Sequence, residues 1–85
     1  MPTVLRSNGF RVTIYAPPRE HGPPHVHVVR AGRKVVIELS PIRVRRISGM
    51  RDAEVSVAVR LVEQAHDYLM RKWKETHATE TTDPS

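Results

Sequence analysis

Eighty-five residues with 39% hydrophobic content and a formal net charge of +5 allow one small domain with a modest core. The chain has no cysteine, which excludes disulfides and thiolate zinc sites and leaves any metal to histidine and carboxylate ligands. No apolar run approaches the roughly 20 residues of a membrane helix, and the opening Met1, Pro2, Thr3, Val4, Leu5 and Arg6 lack the order of a signal peptide, so the expected location is cytoplasmic.

Thr3 to Arg6 is expected to add a short edge strand. After the turn-forming Ser7, Asn8 and Gly9, residues 10–15 alternate cleanly, which predicts a strand with Phe10, Val12 and Ile14 inward and Arg11, Thr13 and Tyr15 outward. A proline-rich loop carrying His21 follows. Pro23 and Pro24 have restricted φ and no amide hydrogen, so they stiffen the approach to a strand that starts at about His25. Alternation puts His25 and His27 on one face and Val26 and Val28 on the other.

Residues 25–30 and 33–39 read as a hairpin around Ala31 and Gly32. If those two residues are the whole loop, Val28 lies opposite Val35, Val26 opposite Ile37, His27 opposite Val36 and His25 opposite Glu38. That register matches apolar with apolar; a three-residue loop would set Val28 against Lys34 and mix the faces. Beyond Ser40 and Pro41, residues 42–45 alternate again as a further strand or an extended arm.

From residue 52 to about 77 the period becomes helical, with Val55, Ala58, Val59, Val62, Ala65, Leu69 and Trp73 recurring at three and four residue steps. Asp52 and Glu54 suit the first turn of such a helix, and Arg71, Lys72 and Lys74 the last. The expected fold is α+β: a small curved antiparallel sheet with one long C-terminal helix packed on its valine face. Residues 1–77 form the domain and 78–85 a disordered tail. His66 and His77 are expected at the surface, away from the other histidines.

A single helix covers only one side of a sheet, so the other side should carry Arg11, Tyr15, His25, His27, Lys34, Glu38, Arg43 and Arg45, with Val29 and Val36 among them. Charge is also uneven along the chain. Residues 1–51 hold ten Lys or Arg against Glu20 and Glu38, whereas residues 52–85 hold four against seven acids. A basic first part favours a polyanionic partner. Arginines beside an aromatic ring suit single-stranded nucleic acid, RNA above all, with Arg11, Tyr15, Lys34, Arg43 and Arg45 as binding residues.

Three functions fit this face. His25, oriented by Glu38, and His27 would cleave RNA without a metal or other cofactor, one imidazole as base and the other as acid, with Arg11, Arg43 or Arg45 stabilising the developing charge. Alternatively, His25 and His27 with Glu38 or His21 would bind a transition metal such as zinc. The third is a non-enzymatic regulator that docks DNA or a protein; the acidic middle of the helix, at Glu63 and Asp67, argues against its reading a major groove.

Several segments together carry a resemblance: the opening Met1 to Arg6; Gly9, Phe10 and Arg11 with Ile14 and Tyr15; Pro23, Pro24, His25, Val26, His27 and Val28; and Arg60, Leu61, Val62 and Glu63 with Trp73. In these the chain resembles a family of small bacterial proteins termed domain of unknown function 4160. The resemblance implies a place in a toxin-antitoxin-like pair of genes, and with it a cognate protein partner encoded by the neighbouring gene. A homodimer is the other association that so short a chain favours. Arg51 departs from the family pattern, which tends to a hydroxyl residue three positions before Glu54, so the helix cap is expected to be incomplete.

Overall fold

The computed structural model describes residues 3–15 and 22–81, with side chains through residue 77. Among the described residues five strands form one antiparallel sheet in sequence order: β1 (Thr3–Ser7), β2 (Phe10–Thr13), β3 (His25–Arg30), β4 (Arg33–Leu39) and β5 (Ile42–Ser48). Two helices follow, α1 (Asp52–Gln64) and α2 (His66–Thr81). The α+β class and the antiparallel sheet agree with the sequence reading. Among the described residues no helix is long and apolar enough to cross a membrane.

The hairpin of β3 and β4 takes the expected two-residue turn. Ala31 and Gly32 both have positive φ, 49° and 79°, as a turn compatible with the strands' own twist requires. His25 therefore lies opposite Glu38, Val26 opposite Ile37, His27 opposite Val36 and Val28 opposite Val35. Phe10, Val12, Ile14, Val26, Val28, Val35, Ile37 and Leu39 all turn inward and are buried.

β5 is longer than its expected residues 42–45, and its pairing with β4 shifts by one residue between Val36 and Ile37. Val36 faces Arg46 while Ile37 faces Val44, so Arg45 is the extra residue of a bulge. Strand β2 ends at Thr13, two residues short of the expected Tyr15.

The expected single long helix is two. Ala65 leaves helical geometry, with φ −104° and ψ 18°, between α1 and α2. Bonds from the second segment to the sheet account for the change of course. His66 Nε2 donates to the Leu39 carbonyl at 2.6 Å, and Tyr68 Oη donates to the Val4 carbonyl at 2.8 Å, so α2 is tied both to the end of β4 and to β1. The apolar stripe continues across the break through Ala58, Val62, Leu69 and Trp73, all in the core. Helix α2 also runs to Thr81, into the expected tail, while residues 82–85 lie outside the described part.

At the start of α1 the cap is half formed, as the sequence implies. The Arg51 amide donates to Glu54 Oε1 at 3.3 Å, and no hydroxyl reciprocates. Glu54 compensates by binding Arg33 at the start of β4, with Nε at 3.0 Å from Oε1 and Nη2 at 2.6 Å from Oε2. Helix start and strand start are thus joined by one carboxylate.

Candidate nucleic-acid interface

Strand register sets the residues of the sheet face opposite α1 into three rows. The first runs Arg6, Arg11, Val29, Lys34 across β1 to β4. The second runs Thr3, Thr13, His27, Val36, Arg46 across all five strands. The third runs His25, Glu38, Arg43. Directly opposed residues have Cβ atoms about 5 Å apart, so neighbours in a row act on the same small ligand group.

Arg11, Lys34, Arg43 and Arg45 lie at this face as expected. Arg46 joins them because the bulge sets it opposite Val36 while Arg45 also reaches the same side. Strict alternation from Arg43 would have sent Arg46 to the helix side; the signal in the sequence is the odd spacing from Val44 to Ile47, both of which pair with inward residues. His27, Lys34, Val36, Arg45 and Arg46 line a cavity of about 180 Å³.

The cations on this face differ in their commitments. Arg43 is held by Glu38, whose Oε1 accepts from Nη2 at 2.9 Å and from Nε at 3.2 Å. Among the described residues, Lys34, Arg45 and Arg46 make no ion pair. Positive charge around the cavity is therefore not matched by an ion-paired carboxylate among the described residues.

The two strand histidines, expected together on an uncovered face, are placed differently. His27 is half-buried and lines the cavity, with the Tyr15 ring edge-on at 4.9 Å between centroids. His25 is only 3% exposed. Its ring packs 5.0 Å from Trp73 of α2 and 5.5 Å from His27, and its Nδ1 donates to the Pro23 carbonyl at 2.9 Å. His25 stands at the first position of β3, where α2 reaches the end of the sheet, so alternation alone did not expose it.

His77, expected to be remote, extends this cluster. Its ring stacks on Trp73 at 3.7 Å, and its Nδ1 donates to the Trp73 carbonyl at 3.0 Å. Tyr15, His27, His25, Trp73 and His77 form one continuous series of ring contacts. The four-residue step from Trp73 to His77 is the sequence signal for that last contact. Glu38, opposite His25 in register, turns its Oε1 to Arg43. Among the described residues no three metal-ligating side chains gather, and His21 lies outside the described part.

A family model described as Domain of unknown function (DUF4160) matches residues 9–74, well over half of the chain. The chain belongs to this family. The DUF4160 match takes in β2 to β5, all of α1 and most of α2, and so includes every residue lining the cavity together with His25 and Trp73. Arg6 and His77 fall outside it. Neither the curated proteins nor the solved structures contain a match to the chain.

Proposed function

We propose that the chain binds single-stranded nucleic acid, RNA foremost, on the sheet face opposite α1. The observation that carries this reading is the convergence of Lys34, Arg45 and Arg46 with His27 on one cavity, none of the three cations being ion-paired among the described residues. Phosphates supply the charge such a cluster lacks, and Arg6 and Arg11 extend the basic track across the sheet. The half-buried Tyr15 and His27 rings offer apolar surface beside it, which suits unstacked bases better than the closed grooves of a duplex.

Cleavage by a histidine pair has less support than binding. His25 is buried against Trp73 and its Nδ1 is bonded to Pro23, leaving His27 as the imidazole that lines the cavity. The test is anisotropy of a labelled 12-nucleotide RNA between 50 and 200 mM salt. Three phosphate contacts give a log-log slope of about −2 on single strands, and the triple variant Lys34→Ala, Arg45→Ala, Arg46→Ala should flatten it. Absence of binding at low salt would overturn the reading. The same RNA is then run on a gel: strand scission that His27→Ala abolishes would replace binding with catalysis.

A further inference from the structure

We propose that the cavity lined by His27, Lys34, Val36, Arg45 and Arg46 receives the terminal phosphomonoester of a nucleic-acid strand. This rests on the nucleic-acid reading and adds to it which part of the strand the cavity takes.

Charge comes first. An internal phosphodiester carries one negative charge, whereas a phosphomonoester carries about −1.5 to −2 near neutral pH and offers three strong acceptor oxygens. Arg33 and Arg43 are each matched by a carboxylate, Glu54 and Glu38, but Lys34, Arg45 and Arg46 are not matched among the described residues. Three fixed cations around a single diester would leave most of their charge uncompensated. A dianion brings the balance much closer.

Size gives the second argument. At about 180 Å³ the cavity holds the equivalent of about six waters. That suits a tetrahedral oxyanion and is well below the roughly 300 Å³ at which pockets begin to enclose whole organic ligands. Sugar and base would remain outside, along the sheet.

The bulge supplies the third. Regular alternation would bring one β5 guanidinium to this position; the extra residue brings Arg45 and Arg46 there together. Adjacent guanidiniums can grip two oxygens of one phosphate while Lys34 meets a third as a point charge. Val36, 7% exposed, lines the cavity with apolar surface that raises the strength of these bonds.

The experiment compares one eight-nucleotide RNA, labelled internally, in three forms: hydroxyl at both ends, phosphate at the 5′ end, and phosphate at the 3′ end. Affinities are read by anisotropy at constant salt, with folding of each variant checked by circular dichroism. One phosphorylated form should bind about tenfold more tightly than the hydroxyl form, as an added charge-assisted contact implies, and inorganic phosphate should compete that gain away. Arg46→Ala and Lys34→Ala should each remove most of the gain. Equal affinity of all three forms would overturn the proposal while leaving nucleic-acid binding intact. If none binds at low salt, the broader reading falls and the proposal with it.

Discussion

Arg33 and Glu54 join the start of β4 to the first turn of α1 through two parallel hydrogen bonds of 3.0 and 2.6 Å. The Arg33 guanidinium is the chief cause that holds the Glu54 carboxyl below its ordinary 4.5. A carboxyl whose folded value is depressed contributes stability that is present above its unfolded value and lost as pH falls through the folded one. Denaturant titrations from pH 7 to pH 3 should therefore lose stability below about pH 4.5. Glu54→Gln should lower stability at pH 7 and make that acid decline shallower. An unchanged decline in Glu54→Gln would show that other carboxylates produce it.

Ion pairing sorts the arginines of β5 by their availability to a ligand. Arg46→Ala should weaken RNA binding and reduce the salt slope by about 0.7, the contribution of one single-strand phosphate contact. Arg43→Ala should do less, because Glu38 already holds that guanidinium. Conversely, Glu38→Gln removes a negative charge from the face and should tighten binding. Equal losses from Arg43→Ala and Arg46→Ala, measured by anisotropy over the same salt series, would refute this ranking.

Trp73 joins the core to the imidazoles, being 7% exposed and in contact with both His25 and His77. Trp73→Ala should cost about 3–5 kcal/mol in urea unfolding, the range for deleting a large buried ring. His77→Ala removes the stacked ring and its bond to the Trp73 carbonyl and should cost less, about 1 kcal/mol. The His25 side-chain resonances in NMR spectra should shift in Trp73→Phe even where stability is largely kept. A His25 signal indifferent to that replacement would mean that the ring contact is not maintained in solution.

Ala31 adopts a left-handed φ of 49°, which a side chain with Cβ tolerates poorly. Asparagine is favoured at this position of a two-residue turn before glycine. Ala31→Asn should stabilise the protein by about 1 kcal/mol, raising the melting temperature by about 4–8 °C, without changing RNA affinity. No rise in melting temperature would indicate that the strand pairs, rather than the turn, bear the strain.

The hairpin was legible because Val26, Val28, Val35 and Ile37 leave only one register that keeps valine faces together, and the observed pairing is that register. Placement of Lys34 followed from it, and that of Arg43 and Arg45 from the alternation of residues 42–45. Arg46 was not legible by alternation, since a bulge is a property of two strands at once and only the spacing of Val44 and Ile47 hints at it. The helix break escaped for a similar reason: the stripe from Val55 to Trp73 is uninterrupted, and the bonds that turn α2 at His66 and Tyr68 are tertiary. His25 alternates as expected, yet its exposure depended on where the far end of α2 would lie. Local pattern determined side; long-range packing determined access.

Strand β5 is the last in the sheet order, and Val44 and Ile47 on its helix side are 36% and 47% exposed. An outermost ribbon with uncovered apolar side chains is the kind of rim on which identical molecules stack into fibres. Arg43, Arg45 and Arg46 are all exposed along the same seven residues. Antiparallel pairing of two such ribbons would crowd six guanidiniums along one seam, where like charges repel. The cluster proposed to take a polyanion would thus also oppose the pairing of copies of the chain, and neutralising it to test ligand capture should carry a colloidal penalty: the arginine-free variants should be the ones that precipitate on concentration.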